Sequence, residues 1–159
     1  MLPWDELVEE ARWFARMHLA RYLSIEEAPT DILGVATGLS IRIVSVPFWE
    51  DPDFTGIAVW DSDTFRLIVV NSLLSKPRWA FTVGHELGHL VLGHQPPRHR
   101  QVERLANAYA AELLMPADRL IGQIRQYGND LRLLAGLNGV SLTAMRLRLQ
   151  EMALSLATS

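Results

Sequence analysis

Among its 159 residues the chain has no cysteine and a single lysine, Lys76. The missing thiols exclude disulfides, thiolate zinc knuckles, iron–sulfur clusters and a cysteine nucleophile, so any metal site must be built from histidine and carboxylate. Glycine and proline, at 10 and 8 residues, are too few and too scattered for a low-complexity or collagen-like segment. No apolar run approaches the roughly 18 residues needed to cross a bilayer, and the opening Met-Leu-Pro-Trp-Asp-Glu lacks the basic and apolar stretches of a signal peptide. The expectation is a soluble, cytoplasmic protein with no membrane partner.

What is present is ordinary for a folded protein: 49% hydrophobic and 21% charged residues, at a length that predicts one domain over residues 1–159. A chain of this size buries roughly two thirds of its surface without help from a metal, so a metal bound here points to chemistry. The net charge of −3 is unevenly spread. Residues 1–75 are net seven negative and residues 76–159 net four positive, a polarity that can orient a partner but is no nucleic-acid footprint.

Periodicity divides the chain. Trp4, Leu7, Val8, Ala11, Phe14, Ala15, Leu19 and Tyr22 recur at helical spacing, with Pro3 suited to the first turn and His18 on the apolar stripe as an ordinary packed or partly exposed histidine. Thr30 is the expected N-cap of a short helix ending at Gly38, which places N-terminal helices within 3–38. The period then falls to two over Ile41–Val46, Gly56–Trp60 and Phe65–Val70, with Asp61-Ser-Asp-Thr64 as a turn, predicting a small, largely antiparallel sheet within 41–71. From Ser75 onward the pattern is helical, broken at His94–His99, Pro116 and Tyr127-Gly-Asn129. Helices are expected over 75–116, the stretch that carries the motif described next, and a C-terminal helical segment over 117–155. Strands followed by helices, without βαβ alternation, give an α+β fold: a small sheet packed against a mostly helical body.

The strongest motif is His85-Glu-Leu-Gly-His89, an H-E-x-x-H. On a helix, residues i and i+4 lie about 40° apart around the axis and about 6 Å along it, so both imidazoles can share one cation. Two imidazoles and a carboxylate leave a fourth tetrahedral position open, the pattern of catalytic zinc. Zinc is the expected ion, one per chain, with manganese and iron compatible with the same donors.

The third ligand is expected to be Glu103. On one helix Glu103, Ala106, Asn107, Ala110 and Leu114 share a face about 100° wide, and the small alanines let it approach the H-E-x-x-H helix closely. Glu103 then reaches the metal, and Asn107 supports a ligand imidazole through its other nitrogen. Glu112, nine residues from Glu103, falls on the opposite face. His94, nine residues after His85, is half a turn away on a continuous helix and out of register for a metzincin. Glu86 overhangs the metal as general base toward water, whose pKa a zinc ion lowers from 15.7 to about 7. Peptide-bond hydrolysis is the natural assignment.

The stretch Phe81-Thr-Val-Gly-His-Glu-Leu-Gly-His-Leu-Val-Leu-Gly-His94, together with Glu103-Arg-Leu-Ala-Asn-Ala-Tyr-Ala-Ala-Glu-Leu-Leu-Met-Pro116, resembles the ImmA/IrrE family of gluzincin metallopeptidases. The Glu103-x-x-x-Asn107 pair is also similar to the third-ligand helix of thermolysin-like enzymes, where an Asp takes the Asn position. Gly84 and Tyr109 depart from the alanine and phenylalanine usual in the family. The resemblance implies a minimal gluzincin-like fold and a zinc-dependent endopeptidase whose substrate is a helix-turn-helix transcriptional repressor.

Three further residues are candidates for contact with substrate or oxyanion: His94 and His99, by the Pro-Pro loop, and Tyr109. Exposed loop histidines and core packing are the competing readings, the latter because Tyr109 lies about 120° around the helix from Glu103. A second functional reading rests on Leu131–Gly139 and Val140–Leu149, which have the outline of a helix-turn-helix: a non-catalytic DNA-binding or toxin-neutralising module with a vestigial metal site. Five basic against three acidic groups over 117–159 is a weak phosphate-binding charge and argues against DNA binding. Core spacing of Leu142, Met145, Leu149 and Met152 favours two packing helices.

Overall fold

A computed structural model describes residues 3–23, 27–62 and 65–157. In chain order the elements are α1 (Trp4–Tyr22), α2 (Ile32–Gly38), β1 (Arg42–Val46), β2 (Gly56–Ser62), β3 (Phe65–Asn71), α3 (Lys76–Val91), α4 (Arg100–Leu114), α5 (Ala117–Tyr127), α6 (Leu131–Asn138) and α7 (Leu142–Ala157). The architecture is α+β, with one three-stranded sheet among the described residues.

The sheet is mixed. Its order is β1-β3-β2, with β3 antiparallel to β2 but parallel to β1. The expectation of a largely antiparallel sheet therefore holds for one of the two ladders. The reason is topological: β2 and β3 form the hairpin, and the connection over 47–55 crosses from β1 to the far edge, leaving the central place to β3. Strand β2 runs through Asp61 to Ser62, so the predicted turn is half strand, and its other half, Asp63 and Thr64, lies outside the described residues.

Alternation gives the sheet an inner face of Ala58, Ile68 and Val70, all buried, while Val44, Ile57 and Val59 remain exposed on the other side. Helix α3 packs on the inner face, α4 on α3, and α1 on α4. Ala11, Ala15 and Leu19 of α1 and Val83 and Leu87 of α3 are fully buried in this stack. His18 and Tyr109 meet inside it, with His18 Nδ1 2.8 Å from the Tyr109 hydroxyl. Burial, with the nearby Arg21 charge adding to it, holds His18 below its ordinary pKa, and burial pushes the Tyr109 phenol up. Tyr109 is thus a core residue, and its candidacy as a substrate or oxyanion contact is withdrawn.

Two further expectations are corrected. Helix α2 is capped by Asp31, whose carboxylate accepts the Gly34 N–H, whereas Thr30 is buried and donates to the Leu113 carbonyl. Arg119 donates to the Thr30 hydroxyl and to the Leu114 carbonyl, tying α5 to the end of α4. Among the described side chains of α7, Met145 and Arg148 are the buried ones, and Leu142 is exposed instead of sharing the core stripe.

Buried Arg148 pairs with buried Glu112, which faces away from Glu103 as the helical phase predicts. That pair fastens α7 to α4. Removing one member strands a buried charge, which costs about 3 kcal/mol or more, so Glu112→Ala is expected to lower the melting temperature by about 6–12 °C. Replacing both partners with apolar residues, as in Glu112→Leu with Arg148→Met, is expected to restore most of the loss in a thermal melt.

Candidate metal centre

Helix α3 begins at Lys76, after the N-cap residue Ser75, with Pro77 in its first turn, where a missing N–H is harmless, and carries the H-E-x-x-H motif through its last two turns. Helix α4 packs against it without intervening side-chain bulk. A Cβ built on Gly88 would lie 3.1 Å from both Cα and O of Ala106, and one on Gly84 3.3 Å from Cβ of Ala110. Matching Gly84 to Ala110 and Gly88 to Ala106 sets the helices antiparallel, so Glu103, in the first turn of α4, comes beside the last turn of α3.

The three expected ligands converge. Nε2 of His85 lies 3.2 Å from Oε2 of Glu103, and Nε2 of His89 lies 3.3 Å from Oε1. The two Nε2 atoms are 3.0 Å apart. His85, His89 and Glu103 are the group among the described residues with donor atoms close enough to hold one metal ion, all within 4.8 Å of one another. His89 is fully buried, whereas the Glu103 side chain is 40% exposed, so one side of the cluster is open.

Both imidazoles are held from behind. His85 Nδ1 donates to the Asn107 Oδ1 at 2.8 Å, which fixes its tautomer and turns the Nε2 lone pair toward Glu103. His89 Nδ1 lies 3.0 Å from Nδ1 of His94. Burial, followed by the positive potential of His85, Arg98 and His94, pushes His89 down to about 3, so it is neutral at physiological pH, as a metal ligand must be. His94 is also lowered, by burial first and then by Arg98.

His94 is not on the far side of a continuous helix but half-buried beside His89. Gly93, at φ +68°, ends α3 in the left-handed conformation, and the His94 N–H returns to the His89 carbonyl, a Schellman closure that folds His94 onto its ligand neighbour. His99 is exposed, at the position preceding α4, outside the cluster.

Glu86 is buried, and its Oε2 accepts two hydrogen bonds, from the Ala58 backbone N–H at 2.8 Å and from Nη1 of Arg98 at 2.9 Å. Arg98 carries no periodic signal in the sequence. Its arginine side chain and the Pro-Pro loop that carries it were the cues available.

Asn107→Ala removes the acceptor behind His85 without touching a donor atom. Losses at such supporting positions are typically 10–100-fold in metal affinity, and a decrease of about 10-fold is expected here, read by competition with a chromophoric chelator; Asn107→Asp, which keeps the oxygen, is expected to retain affinity.

A partly open diimidazole–carboxylate cluster beside a buried glutamate, on the last turns of a helix laid across a small sheet, defines a metallopeptidase-type domain. The profile of the IrrE N-terminal-like domain, Peptidase_M78, matches residues 41–150, and the chain belongs to that family. The match takes in the sheet, both helices of the cluster and most of α7. No curated protein matches significantly. Among solved structures, a Mycobacterium tuberculosis transcriptional regulator superimposes with a TM-score of 0.61 at 18% identity, over 91% of this chain and 51% of that one. That likeness is one of fold, and the chain spans about half the regulator's length. No described helix is long and apolar enough to cross a membrane.

Proposed function

We propose that the chain is a zinc-dependent endopeptidase of the H-E-x-x-H gluzincin type, acting in the cytoplasm on a peptide bond of a protein partner, a helix-turn-helix transcriptional repressor. The observation that carries this reading is the convergence of Nε2 of His85, Nε2 of His89 and the Glu103 carboxylate, next to Glu86 in the chain. The donor set fits zinc: two imidazoles and one carboxylate, with each Nδ1 occupied and each Nε2 presented. A zinc ion held there supplies Lewis acidity, polarising a substrate carbonyl and acidifying water.

The chain's own groups do the rest. Glu86 receives a proton from the attacking water and passes it to the departing amine nitrogen. Strand β2 is an edge strand, and its Ala58 N–H turns to Glu86 rather than to β3. An extended peptide added along that edge would pass the Glu86 carboxylate. The repressor as substrate rests on the family, and the transcriptional-regulator neighbour is compatible with it.

Elemental analysis of protein purified without added metal tests the metal, with about one zinc per chain expected. Incubation with a helix-turn-helix repressor, followed by intact-mass spectrometry, tests the reaction: two complementary fragments that disappear with chelator are expected. An intact repressor facing a zinc-loaded enzyme would overturn the proposed substrate, and a metal-free protein the mechanism.

A further inference from the structure

Glu86 is the residue whose placement the proposed chemistry depends on, yet α3 alone fixes little of a three-torsion side chain. Two donors from outside α3 meet on one of its oxygens. The Ala58 N–H comes from the edge strand β2, and the Arg98 guanidinium from the loop between α3 and α4; both end on Oε2. Glu86 and Arg98 are largely shielded, with side-chain exposures of 5% and 17%, so the ion pair is little screened by water. A carboxylate has about four acceptor positions, and these bonds leave Oε1 to act.

We infer that Arg98 is a positioning residue, which together with the Ala58 N–H clamps Oε2 of Glu86 so that Oε1 is the atom that takes and returns the proton. The inference rests on the proposed hydrolytic reading. A productive base must be held within about 0.5 Å and 10–20° of its working geometry, and a two-point clamp from two separate elements provides this where one hydrogen bond would leave rotation free. The opposite role, a latch that keeps Glu86 from water, requires that Arg98 leave before the site can work. In that case its removal raises function instead of lowering it.

The test uses the zinc-loaded chain and acetohydroxamic acid. When a hydroxamate chelates a metal it gives up its hydroxyl proton, and a correctly placed base beside the ion receives that proton, so affinity reads the position of Glu86. Zinc affinity is measured first, by chelator competition, in the unmodified chain and in Arg98→Met, Arg98→Lys, Glu86→Gln and the double variant Glu86→Gln with Arg98→Met. Acetohydroxamate binding to each zinc-loaded protein follows, by calorimetry.

For Arg98→Met the expected result is zinc affinity within about threefold of the unmodified chain, with acetohydroxamate affinity lowered about tenfold, the size of one charge-assisted hydrogen bond. Arg98→Lys, which keeps the charge but not the fork, is expected to recover part of that loss. In the Glu86→Gln background the Arg98→Met change is expected to have less than about a twofold effect, because its route to the ligand is gone. Unchanged or tighter hydroxamate binding by Arg98→Met would overturn the clamp, tighter binding favouring the latch. An equal loss in both backgrounds would also overturn it, since Arg98 would then touch the ligand itself. If the unmodified chain takes up no zinc at the first stage, the hydrolytic reading fails and takes the clamp with it; zinc uptake with no Arg98 effect refutes the clamp alone.

Discussion

Glu86→Gln is expected to lower repressor cleavage about 1,000-fold while leaving zinc content unchanged. General acid–base catalysis contributes 10²–10⁴-fold, and in the proposed reaction a single residue serves as base in the attack and as acid in the departure, so the upper half of that range applies. Glutamine keeps the shape of the side chain and, through its carbonyl oxygen, can still accept from the Ala58 N–H and Arg98, so the fold around β2 is retained. What it lacks is the capacity to hold a proton. Fragment formation followed by mass spectrometry, with metal content measured on the same samples, checks both halves. A Glu86→Gln protein that cleaves at the original rate would remove Glu86 from the mechanism.

Glu103→Ala makes the complementary demand. It leaves both histidines and Glu86 in place and is expected to weaken zinc binding about 1,000-fold, with cleavage lost in step. Apparent zinc binding free energies of about 10–16 kcal/mol, shared over four coordination positions, assign each ligand roughly 3–4 kcal/mol, or two to three powers of ten. The carboxylate also brings the only negative charge among the three converging groups, which places its loss at the larger end. Glu103 is 40% exposed and its neighbours Ala106 and Ala110 need no support from it, so the melting temperature of the metal-free protein is expected to stay nearly constant. Chelator competition and a thermal melt separate loss of metal from loss of fold. Zinc held at the original affinity by Glu103→Ala would mean that another group supplies the third ligand.

The two helices and their facing residues were legible because helical phase is a local property. His85, His89, Glu103 and Asn107 were singled out by 3.6-residue arithmetic, and the structure brings their polar atoms together. Alanine at 106 and 110 announced a close approach, and the approach occurs, against Gly88 and Gly84. The parallel β1–β3 ladder was not legible, since period-two alternation reports which residues share a face and nothing about the neighbour or its direction. Asp31 displaced Thr30 as the cap because Thr30 is recruited by Leu113 and Arg119, partners more than 80 positions away.

The loop over 94–99 shows the limit most clearly. Arithmetic on a continuous helix sends His94 away from the cluster, whereas a single left-handed residue, Gly93, returns it to His89. A glycine two residues past the last helical position was a readable stop signal, but the direction in which the chain leaves depends on what it then packs against. Arg98 offered still less: its partner is a buried glutamate whose second donor comes from a strand 40 residues earlier in the chain. Helical phase turns Tyr109 away from Glu103, and the apolar stripe marks His18 for packing without naming Tyr109 as its partner.

The contact between Gly88 and Ala106 makes the spacing of two helices a dial for reactivity. Every donor atom could survive a mutation there unaltered, yet a single methyl wedged between the backbones would carry the carboxylate outward and detune the cavity as a whole. A lineage bearing this scaffold can therefore retire its chemistry, or soften its grip on the ion, while the recognisable signature letters remain intact.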